Sequence, residues 1–467
     1  MELLFYKGNE MLFHHRGGCF SFIVGIALLI GISHGVSKEN STSLIKEYVS
    51  YVEGVLGDAV SGKTSDDEKE TSGLFHLPKL TWEENKEPSL SDGGPGAGSR
   101  DDDSHGSFIE GQTGNTEERT SDTAASEKPG ESTSDLSMYY CYGQLSLDEQ
   151  RLYRQVLYAI ENRVKQPVST LDTSVLTRIY TTVMADHPEI FYVEGVNYTI
   201  TSVGGVATSL ELEAKYTMTS EEVDAWREKV EETVQMILSA IPSDADEYMK
   251  AKLVYDYLVA NTDYVEGADE NQNILSVFFN HKSVCNGYAK AAALLYQRLG
   301  MPSSVITGQA AGGLHAWNFL RVNDAWYLLD VTWGETDATN AKDSNASSGT
   351  LGFTRYDYFL LPTEWMNQDH TPDEDLPIPV CVETKDNYFV RNGLYLTEAD
   401  VGTVGKQVSA AIKAGLPAVQ FRASDRDVLQ ELMTKLFTNH EIYDYLHGKS
   451  SIRYSTNEAE NILTIIF

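Results

Sequence analysis

Apolar and polar positions follow two rhythms along this chain. Behind Ser146 and Glu149, which are spaced as a capping box, Leu152, Tyr153, Val156, Leu157 and Ile160 recur at helical spacing. "VNYTITSV" and "TSLELEAKYTM" then alternate and are rich in β-branched residues, which predicts a strand pair. Thr219 and Glu222 cap a second helix that runs to about Ile241, with Pro242 just beyond it. A third, over "DEYMKAKLVYDYLVANT", places Met249, Leu253, Val254, Tyr257 and Leu258 on one face. The fourth begins at Cys285: Ala291, Ala292, Leu295 and Leu299 recur at helical steps until Gly300 and Pro302 stop it. Residues 314–322 and 325–332 read as strands joined by Asn323-Asp324, a pair that tolerates positive φ.

Between residues 38 and 136 these rhythms mostly fail. Segments such as "SDGGPGAGSRDDDSHGS" are rich in Gly, Ser and acid and hold few apolar groups. They cannot bury enough surface to offset the entropy of ordering, so an extended acidic linker is expected. Ahead of it, residues 1–37 carry a weakly basic start and the apolar run "CFSFIVGIALLIGI". That run has the length of a signal-peptide core and is short of the ~20 residues of a spanning helix. The expectation is a secreted chain or one held at the cell surface by an uncleaved N-terminal segment. Residues 137–245 then form an N-terminal α+β region, 246–372 a catalytic core and 373–467 a C-terminal α/β module.

The formal charge of −33 excludes nucleic acid as a natural partner and disfavours an anionic membrane surface. Four cysteines are present, and Cys19 opens the apolar run. Export leaves Cys141, Cys285 and Cys381, an odd number, so one thiol stays free or pairs with another molecule. A Cys141–Cys381 bridge would leave Cys285 as the free thiol; the arithmetic permits that pairing without establishing it.

Cys285 sits at the start of its helix, where unused backbone N–H groups and the positive dipole end stabilise a thiolate or a developing oxyanion. A nucleophilic cysteine needs a base, and the base needs an orienting partner. The hairpin "GLHAWNFLRVNDAWYLLDVTW" supplies both. With a two-residue turn, Val322 pairs Ala325 and Asp330 falls opposite Trp317. His315 then lies on a diagonal from Asp330, roughly 7–8 Å apart backbone to backbone and within side-chain reach. Taken singly, each residue has a plainer reading: a buried small apolar group for Cys285, a packed ring for His315, a turn acid for Asp330. Their order on these elements favours a Cys-His-Asp triad. His187, His281 and His370 have no partners at ligand spacing, so no metal site is expected, and "GQAAGGLH" lacks the context of a phosphate loop.

"VCNGYAKA", "HAWN" and "WYLLDVTW" resemble the three motifs of the transglutaminase-like superfamily, in order and at its compact spacing. The resemblance extends over residues 246–372 and into "YDYFLLPTEWMNQDHTP", which is similar to the segment after the core in exported bacterial members. It implies an α+β papain-like core, a Cys-bearing helix packed on an antiparallel sheet. It also implies Cys285 as nucleophile, His315 as base and Asp330 as orienting acid. Many relatives have Asp where this chain has Gly334, a small departure that puts nothing catalytic in doubt. Papain-type proteases fit less well, since their His lies far downstream, and arylamine acetyltransferases carry different surrounding motifs. The expected function is thioester acyl transfer at protein or peptide amide bonds, by hydrolysis or crosslinking, with cell-wall peptide as one substrate suggested by export. The alternative is a catalytically silent binding or structural module. This chemistry requires no cofactor or metal, and no loop resembles an EF-hand calcium site.

Overall fold

The computed structural model describes residues 108–114, 129–334, 353–449 and 451–467. The signal-like segment 1–37 and nearly all of the acidic linker lie outside the described residues. One piece of the linker departs from expectation. Phe108–Gly114 forms strand β1 and pairs in parallel with β3 (Val193–Val203). The open edge of β3 supplies the N–H and C=O partners that the linker could not find within itself. Ordered burial also begins before residue 137, since Ser132 and Leu136 are both buried.

Helix α1 (Leu147–Asn162) starts on the anticipated capping box, with Ser146 and Glu149 bonding each other's backbone N–H. Strand β2 (Gln166–Pro167) and helix α2 (Thr173–Asp186) follow. Strand β3 turns back as β4 (Val206–Tyr216), and the first sheet runs β1-β3-β4-β2. Helix α3 (Ser220–Ser239) carries the second capping box, Thr219 with Glu222, and ends two residues before Ile241. In α4 (Glu247–Asn261) the buried stripe is Tyr248, Ala251, Val254, Tyr255 and Leu258, whereas Met249 is exposed. The apolar residues of this helix run almost all round it, so periodicity alone could not choose the face.

Two-residue strands β5 (Asp263–Tyr264) and β6 (Lys282–Ser283) bring the chain to α5 (Cys285–Arg298). Strands β7 (Ser303–Ala310), β8 (Gly313–Val322) and β9 (Ala325–Leu329) form an antiparallel sheet that β10 (His370–Pro372) completes, in the order β10-β7-β8-β9. Helix α5 packs across β7 and β8. This is the α+β arrangement the sequence predicts, a Cys-bearing helix on an antiparallel sheet. The hairpin register is also as expected: Val322 pairs Ala325, and Asn323 and Asp324 both take positive φ. Strand β9 ends at Leu329 rather than continuing to residue 332. Asp330 turns the chain by accepting hydrogen bonds from the Thr332 and Trp333 N–H groups through Oδ1, at 2.9 and 3.4 Å.

Beyond residue 387 a second apolar core forms around Phe389, Val404, Val408, Phe421, Leu432 and Ile465. It lies between helices α6 (Val401–Lys413) and α7 (Arg426–Met433) and a mixed sheet. That sheet holds β11 (Tyr395–Leu396), β12 (Ala418–Ala423), β13 (Arg453–Asn457) and β14 (Ile462–Ile466), in the order β11-β12-β14-β13. Cys141 and Cys381 share a smaller cluster with Trp317 and Phe319, and both are free thiols. No helix among the described residues is long and apolar enough to cross a membrane.

Gly334 owes its identity to packing. A Cβ there would lie 2.5 Å from the Tyr255 hydroxyl and 2.7 Å from Val259 Cγ2. Gly334→Ala should therefore lower stability by about 1–3 kcal/mol through overpacking, read as an earlier midpoint in urea unfolding.

Candidate active site

Small side chains set the depth at which α5 meets its sheet. Cys285, Ala289 and Ala293 recur every four residues and form one cluster with Val305 of β7 and Ala316 of β8. No side chain in this cluster is larger than valine. Asn318 fixes the contact: its Nδ2 donates to the Ala289 carbonyl at 2.9 Å and to the Ser304 carbonyl at 3.2 Å. The sequence reading had singled out Ala291, Ala292 and Leu295, which face the larger core. The sheet-facing stripe and the role of Asn318 were missed, although small residues at i, i+4 and i+8 from the cysteine were a legible signal.

Cys285 is the first residue of α5, and Val284 precedes it without a side-chain cap. Its thiol reaches the His315 ring, with which it is hydrogen-bonded. The other side of that ring meets the acid: His315 Nε2 lies 2.8 Å from Asp330 Oδ2. Nδ1 is therefore the nitrogen left for sulfur. All three predicted residues come together, and all are buried, Cys285 at 2% exposure, His315 at 8% and Asp330 at 0%.

Charge is arranged accordingly. Burial alone would push the His315 pKa down, but the Asp330 charge and hydrogen bond, with Cys285 beside it, outweigh that and raise it to about 10. Burial pushes the Asp330 carboxyl up, and His315 and His370 together hold it well below the usual carboxylate range. Aromatic rings line the pair. Trp333 sits 5.1 Å from the His315 ring and Trp317 6.1 Å from it, and both also flank His370.

The sequence places no partner at ligand spacing from His370. The fold corrects that reading, for β10 pairs His370 with Ala310 at the sheet edge and brings its Nε2 to 3.4 Å from Asp330 Oδ2. His315, Asp330 and His370 thus offer three potential metal-ligand atoms within 4.8 Å of one another. They do not suit a metal as they stand. Two ligands of a tetrahedral zinc with bonds of about 2.0–2.1 Å are separated by about 3.3 Å, whereas His315 Nε2 and Asp330 Oδ2 are at the 2.8 Å of a hydrogen bond.

Residues 235–331 match the transglutaminase-like superfamily. Kyphoscoliosis peptidase of Mus musculus is 25% identical over 159 residues, covering 30% of this chain and 23% of that protein. The chain thus spans about a quarter of the length of that curated relative. A TGase crystal structure aligns over 29% of this chain and 51% of its own, at 14% identity and a TM-score of 0.22. The periplasmic domain of TgpA from Pseudomonas aeruginosa aligns over 27% and 56%, at 14% identity and a TM-score of 0.19.

The His315–Asp330 pair also leaves a signature in stability. A histidine raised from 6.5 to about 10 contributes stability that is complete below about pH 6.5 and is lost as pH rises through about 10. The unfolding free-energy difference between the protein and its His315→Gln variant should hold steady between about pH 5 and 6.5, since below that the lowered Asp330 carboxyl titrates in the unfolded chain. It should then shrink from pH 7 to 10 in urea titrations; a difference that widens toward pH 10 would contradict this assignment.

Proposed function

We propose that this chain, whose residues 235–331 form a transglutaminase-like domain, is an exported cysteine enzyme that transfers acyl groups from protein or peptide amides. The observation that carries the reading is the contact series of Cys285 thiol, His315 ring and Asp330 carboxylate at one buried helix–sheet junction. In this reading the thiolate sulfur attacks the amide carbon. The tetrahedral intermediate collapses, the C–N bond breaks, and the imidazolium of His315 gives its proton to the leaving amine. His315 then takes a proton from the incoming amine or water as that nucleophile displaces sulfur from the thioester. Crosslinking and hydrolysis differ only in that second nucleophile. Backbone N–H groups in the first turn of α5 would be the donors offered to the oxyanion.

Export rests on the N-terminal sequence pattern, and a cell-surface setting makes peptide in the wall a suitable substrate.

Alkylation by iodoacetamide tests the nucleophile without knowledge of the substrate. Cys285 should label rapidly well below pH 7, and His315→Ala should push labelling toward the ordinary thiol range near 8.5. Labelling that follows an ordinary thiol and ignores His315 would favour a silent binding module. With a peptide substrate in hand, Cys285→Ala should lower turnover by at least about a thousandfold, and hydroxylamine should intercept the thioester as a hydroxamate.

A further inference from the structure

Beyond the triad, Asp330 has a second imidazole partner that the chemistry above does not use. His370 is fully buried, and both of its ring nitrogens face carboxylate oxygens. Nδ1 lies 2.6 Å from Asp369 Oδ1 and Nε2 lies 3.4 Å from Asp330 Oδ2. An ionised carboxylate only accepts hydrogen bonds, so partners of this kind on both nitrogens favour the doubly protonated ring, and they raise its pKa against the effect of burial. Its position is over-determined. Trp317, Trp333 and Tyr358 pack around it with centroids 5.0, 4.6 and 5.2 Å away. Strand β10 can lie against β7 because Gly308 has no side chain; a Cβ there would meet the Thr371 carbonyl oxygen at 2.2 Å.

The Asp369 end is tied to the C-terminal module. The Tyr358 hydroxyl donates to Asp369 Oδ2 at 2.5 Å. Asn457 of β13 donates in turn to that hydroxyl at 3.0 Å and to Asp357 Oδ2 at 3.1 Å. A continuous series of hydrogen bonds thus runs from β13 through Tyr358, Asp369 and His370 to the triad carboxylate.

We propose that His370 is a positioning residue for the Cys285–His315–Asp330 triad, a fixed second imidazolium that completes an alternating row of charge from the Cys285 thiolate to Asp369. In order the row is Cys285 minus, His315 plus, Asp330 minus, His370 plus, Asp369 minus. The rings of His315 and His370 are 5.6 Å apart, with Asp330 between them. His370 keeps Asp330 ionised and its Oδ2 aimed while His315 gives up its proton. It also shares the Asp330 charge, so that His315 is not held so firmly that it cannot act as a base. The groups facing His370 are Asp330, Asp369, His315 and the Tyr358 hydroxyl, with two indole rings completing the shell. This inference rests on the triad reading above and extends it.

The test is the pH profile of Cys285 alkylation in the full chain, followed by intact mass, for wild type, His370→Gln and Asp369→Asn. Removing a fixed cation should move the labelling limbs of His370→Gln upward by on the order of one pH unit. Removing an anion, in the less intrusive Asp369→Asn, should move them downward. Circular dichroism and thermal unfolding identify any variant that does not fold, and the sign in Asp369→Asn then decides alone. Profiles that superimpose on wild type, or that move in the wrong direction, overturn the proposal. A wild-type profile indifferent to His315→Ala would instead overturn the triad reading itself, so the two failures are distinguishable.

Discussion

A carboxylate at 0% exposure, Asp330, is the group on which the rest of this site depends. A buried charge is tolerated only when its oxygens are fully partnered, and here both are. Oδ1 accepts two backbone N–H groups that bend the chain out of β9, and Oδ2 faces two imidazoles. One side chain therefore ends a strand, orients His315 and anchors His370. The backbone of Asp330 is held as well, its N–H donating to the Tyr358 carbonyl at 2.9 Å and its carbonyl accepting from the Tyr255 hydroxyl at 3.3 Å. Removing one partner from such a group weakens the compensation of a buried charge, which is destabilising. Structure and chemistry thus rely on the same contacts.

Cys285 reaches this carboxylate–imidazole pair through a second constraint, the small side chains between helix and sheet. Cys285, Ala289 and Ala293 present a face that a leucine would prop open, and Asn318 pins the helix by its carbonyl. The C-terminal segment adds a third. Its own apolar core is separate, yet Gln420 and Asn457 reach Asp357 and Tyr358, beside the triad. That gives the C-terminal module a physical connection to the site, a role its sequence does not suggest.

Legibility in the sequence followed the range of the interactions. Both capping boxes, the hairpin register and the start of α5 were readable because each is fixed by residues within a few positions of one another. Where the local signal was ambiguous the reading slipped. Helix α4 has apolar residues nearly all round, and only tertiary packing buries Tyr248 and exposes Met249. Strand β1 arises in a stretch with little apolar content because the edge of β3 is available to it.

His370 marks the limit most clearly. It lies 40 residues beyond Asp330 with no periodicity to connect them, and its place is set by a three-residue strand added to the far edge of β7. The sequence by itself determined which side chains could act as nucleophile, base and orienting acid, and on which elements they ride, because caps, turns and strand alternation are local. The tertiary structure decided how closely the Cys285 helix approaches the sheet and that Asp330 serves two imidazoles. Both depend on contacts between distant segments, which the spacing of residues along the chain does not encode.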